Sequence, residues 1–147
     1  MGRTSERGFS LIEVMVVAGL TAILTAIAVP SFYTLSQEAS LVSAQREVMK
    51  ALYLARSNAI ANNVPRTVLF TPPQSIQIRD QAHTTIYSRN LNVYGSGIKL
   101  TDQSAATITY DARGLINPPA SFTVTITNAK KQTKTVTVYP TGKLTAS

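Results

Sequence analysis

The sequence contains no cysteine and no tryptophan, and it has a single histidine, His83, in a polar stretch. Without cysteine the chain can form no disulfide, no thiolate nucleophile and no cysteine-ligated metal site. We interpret the lone histidine as a surface side chain, because no cysteine or acidic cluster accompanies it. No motif in the sequence supports an enzyme, and we expect neither catalytic residues nor a cofactor.

Acidic residues are also scarce, with seven against 14 lysines and arginines. Asp80, Asp102 and Asp111 are scattered and lack the spacing of a calcium-binding loop, so no metal site is expected. From Ser36 onward the chain has 12 basic and five acidic residues. This excess favours contact with polyanions such as DNA, lipopolysaccharide or acidic neighbours. A basic, well-solvated surface explains the same balance.

The longest apolar run covers residues 9–29, between Gly8 and Pro30, and its only charged residue is Glu13. The 21 residues of this run are enough for a helix to cross a bilayer core, which takes about 20. Two arginines precede the run, and basic residues beside an apolar segment stay on the cytoplasmic side. The sequence therefore predicts a single transmembrane helix over 9–29.

Two simpler interpretations of this run explain the sequence less well. A secretory signal peptide would be followed by a small-residue cleavage site, and none follows here. A plain membrane anchor would leave the Glu13 carboxylate in lipid, at a cost of about 2.5–3.5 kcal/mol. Such a carboxylate usually has a partner.

Residues 8–13, Gly-Phe-Ser-Leu-Ile-Glu, together with the apolar run resemble the class III leader of type IV pilins and type II secretion pseudopilins. The resemblance implies that a prepilin peptidase cuts between Gly8 and Phe9 and methylates the new N-terminus at Phe9. It also implies that Glu13 meets the free amine of a neighbouring subunit during assembly. A buried carboxylate is tolerated when it is paired with a buried ammonium.

The helical pattern continues over residues 30–63, with a kink expected at Pro30 and an end before Pro65. Apolar residues recur there at three- and four-residue steps, which predicts one buried stripe. The stripe consists of Leu41, Ala44, Val48, Leu52, Ala55 and Ala59. We expect the polar side chains to fill the other faces, namely those of Gln45, Arg46, Glu47, Lys50 and Asn58.

Residues 52–60 resemble the helix motif of the FimT/GspH group of minor pilins and pseudopilins, except that Asn58 stands where the group often has glutamate. Residues 63–68 are similar to the entry of that group's first strand. Two later glycine-bearing stretches, 110–114 and 139–143, resemble turns of the same group. The resemblance implies a structural subunit whose partners are other pilins, a prepilin peptidase and an inner-membrane assembly platform.

After Pro65 the sequence alternates with a period of two, which predicts short strands. The predicted strands cover 66–71, 75–79, 84–88, 98–100, 107–110, 122–127 and 134–139. The last two should form a hairpin through a loop at 128–132. We expect an α+β fold in which a long N-terminal helix packs on an antiparallel sandwich or curved sheet. The expected division is 1–8 leader, 9–29 transmembrane and assembly helix, 30–63 amphipathic helix and 64–147 β-rich domain.

Four lysines are the candidate DNA-contacting residues, because three lie near one hairpin loop and one near the end of the chain. They are Lys130, Lys131, Lys134 and Lys143. Some FimT-like minor pilins bind DNA through a Gly-Arg-x-Arg tail, and this chain has Gly142-Lys143-Leu144-Thr145 at the similar place. Lysine lacks the bidentate fork of arginine.

The sequence thus leaves three functions open. In the first, the chain is a minor pilin that is anchored in the inner membrane with its globular domain in the periplasm. From there it joins or primes a pilus filament. Alternatively it is a DNA-binding minor pilin for natural transformation. In the third interpretation it is a minor pseudopilin of a type II secretion system.

Overall fold

The computed structural model describes residues 10–103 and 106–147. The leader, Gly8 and Phe9 therefore lie outside the described residues. The chain divides into two compact units, one ending at Ser36 and the other comprising Gln37–Ser147.

Helix α1 extends from Leu11 to Asn62 and contains Pro30. Within the apolar run, the Oγ1 atoms of Thr21 and Thr25 donate hydrogen bonds of 2.7 Å to carbonyl oxygens four residues back. The hydroxyls are thereby satisfied inside the helix, as an apolar environment requires. The predicted kink at Pro30 stays a prediction.

The first unit carries large apolar side chains that no other element of the unit covers. Leu11 is 77% exposed, Leu24 67% and Ile27 66%. In the described part of the chain, α1 is the one helix long and apolar enough to cross a membrane. A surface of this kind needs lipid or other helices around it.

The predicted end of the helix before Pro65 is confirmed. Asn63 has a φ of 53°, the left-handed conformation with which many helices end. The Val64 N–H donates to the carbonyl oxygen of Ala59 at 3.2 Å, which satisfies one of the last helical carbonyls.

Within ranges 37–103 and 106–147, the second unit contains eight strands in two antiparallel sheets of four. The strand order is β3-β2-β1-β5 in the first sheet and β4-β6-β7-β8 in the second. A short 3-10 helix, Leu91–Tyr94, follows β3. The strands are β1 (Arg66–Thr71), β2 (Ser75–Arg79), β3 (Thr85–Asn90), β4 (Lys99–Gln103), β5 (Thr107–Tyr110), β6 (Phe122–Thr127), β7 (Thr133–Val138) and β8 (Leu144–Ala146).

The β6–β7 hairpin forms as predicted, with Val124 opposite Val136 and Phe122 opposite Val138. Its valines and Ile126 are buried, whereas Phe122 and most of its threonines are half-buried and Thr133 is exposed, which is the alternation of a sheet packed on one face. Asn128 stabilises the loop, because its Oδ1 accepts from the N–H groups of Lys130 and Gln132, each at 3.0 Å.

Other strand predictions differ from the structure at their bounds or were missed. Strand β3 starts one residue later than predicted and ends at Asn90, and β4 reaches Gln103. The 3-10 helix and β8 were not predicted at all. Strand β8 has only three residues and no alternating apolar pattern, and it is held by pairing with β7 and by Gln45. The Gln45 Nε2 donates to the carbonyl oxygens of Thr135 and Ser147 at 2.9 and 3.0 Å.

The core of the second unit joins the helix stripe to buried residues of both sheets, so the predicted α+β class is confirmed. All six predicted stripe residues are buried, and Ala51 joins them. The prediction that polar side chains lie on other faces is wrong for Gln45 and Glu47, which are 7% and 6% exposed. Both are buried because each has hydrogen-bond partners on the strands or the 3-10 helix.

Core packing is tested by replacing Leu52, a fully buried side chain of the stripe. In a chain lacking residues 1–35, expected to be soluble and sheet-rich, Leu52→Ala should lower the free energy of unfolding by roughly 2–5 kcal/mol. The neighbouring Tyr53 is 66% exposed, so Tyr53→Ala should change it by less than about 1 kcal/mol. Urea unfolding followed by circular dichroism measures both, and equal losses would contradict the packing.

Candidate functional site

The predicted assembly residue Glu13 lies in the first turn of α1. Its side chain is exposed and adjoins Val14, Val17 and Ala18, which form a shallow apolar groove with it. The N-terminal end of a helix favours a carboxylate, because the helix dipole is positive there. The arrangement places a carboxylate on an exposed apolar surface. In an apolar environment such a carboxylate needs a partner. The cleavage and methylation residues, Gly8 and Phe9, lie outside the described residues.

A second arrangement lies at the far end of the helix, around Arg56. The Arg56 Nε donates to the carbonyl oxygen of Gly114 at 3.1 Å, and its Nη2 donates to that of Thr141 at 3.2 Å. Gly114 lies in the turn after β5, the edge strand of the first sheet, and Thr141 lies in the turn between β7 and β8 of the second. One guanidinium therefore joins both sheets to the helix.

Both turns need glycine for physical reasons. Gly114 and Gly142 each have a φ of 76°, which L side chains rarely adopt. A Cβ on Gly142 would lie 2.5 Å from the Gly114 carbonyl oxygen and 2.7 Å from the Arg56 Nε. A Cβ on Gly114 would lie 2.7 Å from the Cδ1 of Ile60. Because of these close approaches, both turns need glycine where they meet Arg56 and Ile60. This explains why the two glycine-bearing turns occur in the same chain as the helix motif of residues 52–60.

Asp111 shapes the first of these turns. Its Oδ1 accepts from the N–H groups of Arg113 and Leu115, each at 2.9 Å, and its Oδ2 accepts from the Arg113 guanidinium at 3.0 Å. The hydrogen bond from the Leu115 N–H, followed by the contacts with Arg113, holds the pKa of Asp111 below its ordinary value. The carboxylate is thus an acceptor that fixes a turn, and it is not placed as a general base.

The third arrangement is a polar cluster at Glu47, in the middle of the second unit. Tyr87 of β3 and Tyr94 of the 3-10 helix donate from Oη to the two carboxylate oxygens of Glu47, the second bond being 2.6 Å long. Two cations lie near the Oε1 atom, the Lys50 Nζ at 3.8 Å and the Arg89 Nε at 3.9 Å. This cluster fastens β3 and the 3-10 helix to α1.

Opposing effects act on the charge of Glu47. Burial alone would raise its pKa, but the hydrogen bonds from Tyr87 and Tyr94 and the charges of Lys50 and Arg89 together lower it. Burial and the bond to Glu47 raise the pKa of Tyr87 to about 12, so that the phenol remains a donor. The cluster is a carboxylate stabilised by its donors, which suits a structural contact and provides no free acid or base.

The candidate DNA-contacting lysines do not form one group. Lys130 and Lys131 lie in the β6–β7 loop, and Lys134 lies in β7, half-buried and opposite Ile126. Lys143 precedes β8, at the other end of β7. A strand of six residues spans about 17 Å, so the structure separates Lys143 from the loop. The sequence missed Lys99, which is exposed and pairs with Thr127 at the foot of the same loop.

Ranges 10–103 and 106–147 contain no group of three or more His, Cys, Asp or Glu side chains that could hold an ion. His83 is exposed in a turn, with a φ of 62°, and its N–H donates to the Asp80 carbonyl oxygen at 3.1 Å.

Two family models and several solved structures match this chain. The family model of the type II transport protein GspH matches residues 44–142. The model of the prokaryotic N-terminal methylation motif matches residues 3–29. No curated protein matches the chain significantly.

Among solved structures, the type IV minor pilin FimU of Pseudomonas aeruginosa is similar, with 14% identity and a TM-score of 0.65. That match covers 77% of this chain and 92% of FimU. The minor pseudopilin EpsH of the Vibrio cholerae type 2 secretion system is similar with 16% identity and a TM-score of 0.57. This second match covers 74% of this chain and 96% of EpsH. At these identities the likeness concerns the fold.

Gly142 provides a test of the Arg56 junction. Gly142→Ala should lower the free energy of unfolding by roughly 2–4 kcal/mol, because it adds backbone strain and a steric conflict with a carbonyl oxygen. Gly95→Ala is the matched control, since a Cβ there meets its nearest atoms at 3.5 Å, an ordinary contact. It should cost less than about 1 kcal/mol. Urea unfolding of the chain lacking residues 1–35 measures both variants. If Gly142→Ala lowers the free energy of unfolding no more than Gly95→Ala does, the close approach is disproved.

The Glu47 cluster predicts a pH dependence of stability. Because the folded-state pKa of Glu47 is below its ordinary value of 4.5, its stabilisation is complete above that value and is lost as the pH falls through the folded-state pKa. Glu47→Gln should cost about 1–3 kcal/mol at pH 7, and the difference from wild type should shrink below pH 4.5. The pKa of Asp111 is also lowered in the folded state, so Asp111 adds its own pH dependence to the free energy of unfolding. This effect is the same in wild type and in Glu47→Gln, and it cancels in the difference between them.

The control for this measurement is Glu38→Gln, the same exchange at an exposed position of the same helix. It should change the free energy of unfolding at pH 7 by less than about 0.5 kcal/mol. Urea unfolding at several pH values gives the comparison. A Glu47→Gln difference that grows toward acid would show that the carboxylate is not stabilised in the folded state.

Proposed function

Since the chain belongs to the GspH family of type II transport proteins and carries the N-terminal methylation motif, we propose that it joins or primes a pilus-type filament through the first half of α1. Members of this group are minor pilins and pseudopilins, which are structural subunits that assemble with other pilins. The observation that carries the proposal is a carboxylate, Glu13, on an otherwise apolar and exposed helix of the first unit.

In this proposal a prepilin peptidase cuts between Gly8 and Phe9 and methylates Phe9. The apolar N-terminal segment anchors the protein in a membrane before assembly. We propose that this is the inner membrane, with the second unit in the periplasm. An assembly platform then moves the subunit from the bilayer into the filament, where neighbouring helices replace lipid around the apolar side chains.

Cleavage would create an ammonium at Phe9, four residues before Glu13 in the sequence. In a filament of staggered parallel helices, the ammonium of one subunit can reach Glu13 of the next. Each charge is costly alone in an apolar environment, and the two together are tolerated. The pair therefore sets the register between subunits and contributes nothing to the fold of the second unit.

Two more specific functions are alternatives within this proposal. DNA binding draws support from the lysines of the β6–β7 loop, but Gly142 is buried against Arg56, so the Gly142-Lys143 turn already has a structural role. Service in a type II secretion system draws support from the name of the family. The fold is shared with a pilus protein and a secretion protein alike, and co-purifying pilins would identify the machine.

Glu13→Ala tests the proposed pairing. The variant should insert in the membrane and be processed, because the apolar run and the cleavage residues are unchanged. Its recovery in sheared filaments, relative to the major subunit, should fall at least tenfold, since the loss of a buried ion pair's partner costs about 3–5 kcal/mol. Quantitative mass spectrometry of filaments and membranes measures the ratio.

The matched control is Glu38→Ala, which removes an exposed acid of the same helix outside the apolar run. It should be incorporated at the wild-type ratio. Normal incorporation of Glu13→Ala would refute the pairing role. Equal loss in both variants would indicate a general effect of helix charge.

A further inference from the structure

Strand β8 forms one edge of the second sheet, and in the described part of the chain only β7 pairs with it. Next to the strand, Thr135 and Ser147 exchange two backbone hydrogen bonds of 2.9 and 3.1 Å. Hydrogen-bonded pairs alternate with non-hydrogen-bonded pairs in an antiparallel ladder. The backbones of Leu144 and Ala146 therefore do not bond to β7, and their N–H and C=O groups point away from the sheet.

The other three edge strands are less suited to accept a further strand. The outer side of β5 is covered, because the Asn117 N–H donates to the Thr109 carbonyl oxygen at 2.9 Å. The pairing of β3 with β2 and that of β4 with β6 each contain a register shift. Such irregularities twist an edge and interrupt the row of groups that a new strand needs. Strand β8 pairs in regular register and contains neither proline nor a charged residue.

A largely apolar groove of about 430 Å³ lies beside this edge, between α1 and β8. It is lined by Met49, Lys50, Tyr53, Leu54, Ser57 and Leu144. Leu144 lies on the same face of the sheet as the buried Val138 opposite it. A strand added at β8 would place every second side chain on this face, in or next to the groove.

The groove exposes an aromatic side chain that a partner can cover. Tyr53 is 66% exposed, and it also lines the continuation of the groove toward Arg56 and Lys143. Tyrosine is enriched among the residues that contribute most to binding at protein interfaces. The edge of β8 thus combines free backbone groups with a surface for side chains.

The charges around the groove are positive. Lys50 is exposed, although its Nζ lies 3.8 Å from the Oε1 of the buried Glu47. Where the groove continues along α1, Lys143 is exposed and Arg56 is half-buried. None of the described side chains that line the groove or this continuation is acidic. A segment with carboxylates is therefore attracted, whereas a second copy of this chain, with a net charge of +7, is repelled.

We propose that the edge of β8 binds an extended acidic segment of another protein, which adds a fifth strand to the four of the second sheet. The backbone of the segment pairs with Leu144 and Ala146. Apolar side chains at alternate positions of the segment fill the groove beside Tyr53, and its carboxylates meet the cations of the groove. This surface belongs to the second unit and does not depend on the apolar run, so the inference goes beyond the proposed function.

A peptide titration tests this binding. The full-length chain is held in neutral phosphatidylcholine nanodiscs, and empty nanodiscs are the blank. The probe is a rhodamine-labelled peptide, Glu-Val-Thr-Val-Thr-Val-Glu, whose binding is followed by fluorescence anisotropy. One control peptide has glutamine in place of both glutamates. The other carries N-methyl groups on its valines, whose N–H groups face β8 when the peptide runs antiparallel to it.

The probe should bind more tightly than both control peptides. We expect a factor of about five over the glutamine peptide, because two exposed ion pairs are lost. We expect at least about tenfold over the N-methylated peptide, because several backbone hydrogen bonds are lost while side chains and charge are kept. If the probe binds no more tightly than the N-methylated peptide, the proposal is overturned.

A backbone variant tests the edge from the side of the protein. Ala146→Pro removes an outward N–H group and no hydrogen bond to β7, so it should weaken probe binding by at least about fivefold. Ala146→Ser keeps the N–H group and should bind like wild type. Circular dichroism verifies that both variants are folded.

Side-chain variants test the groove independently of the backbone. Tyr53→Ala should weaken probe binding roughly tenfold. Its control is Ile86→Ala, which truncates an exposed apolar side chain on β3, the edge of the other sheet, and should bind like wild type. Lys143→Gln should weaken binding about threefold, and Lys131→Gln, in the β6–β7 loop, should not weaken it.

Two further outcomes would overturn the proposal. If Ile86→Ala weakens probe binding and Tyr53→Ala does not, the peptide binds at the edge of the first sheet. If the chain forms dimers that Ala146→Pro disrupts and that the probe does not dissociate, the edge of β8 pairs with a second copy of this chain. Sedimentation of the nanodisc samples measures the dimers.

Discussion

The second unit depends on the hydrogen bonds that Arg56 donates to the backbones of two turns. One carbonyl oxygen belongs to Gly114, beyond the edge strand of the first sheet, and the other to Thr141, in the turn between β7 and β8 of the second sheet. A planar guanidinium with several donors can serve two acceptors at once, which an ammonium does less well. The glycines at 114 and 142 let the turns approach the arginine and each other. The arginine therefore acts as a structural link between the sheets and the helix.

Two other polar contacts extend this attachment along the helix. Gln45 donates to the carbonyl oxygens of Thr135 in β7 and of Ser147 just after β8, and Glu47 accepts from tyrosines of β3 and the 3-10 helix. Each side chain satisfies groups that the apolar stripe cannot satisfy, because backbone carbonyls and phenols need hydrogen-bond partners when buried. The amphipathic half of α1 thus provides both the apolar core and the polar fastening of the second unit. The described residues of the first unit, 10–36, present exposed apolar side chains instead.

The sequence was sufficient to predict the long helix, its buried stripe, its end before Pro65 and the β6–β7 hairpin. These depend on local periodicity and on backbone restrictions that neighbouring residues impose. It was insufficient for β8 and for the burial of Gln45 and Glu47. Gln45 and Glu47 are buried against partners 40 or more residues away, which no local pattern encodes. Strand β8 has three residues without an alternating apolar pattern, and it is held by its pairing with β7. The placement of the lysines at two ends likewise follows from the sheet topology, and Lys99 joins the loop lysines only through the pairing of β4 with β6.

We propose that the two units have different tasks: the second unit folds as a domain, and the N-terminal segment assembles. The central claim of this proposal is that the subunit enters filaments after processing between Gly8 and Phe9. The most direct measurement is mass spectrometry of the N-terminal peptide of this chain, recovered from sheared filaments. The account predicts a peptide that begins with N-methylated Phe9, at a low ratio to the major subunit. A filament-bound chain that still carries residues 1–8, or a processed chain found only in membranes, would contradict it.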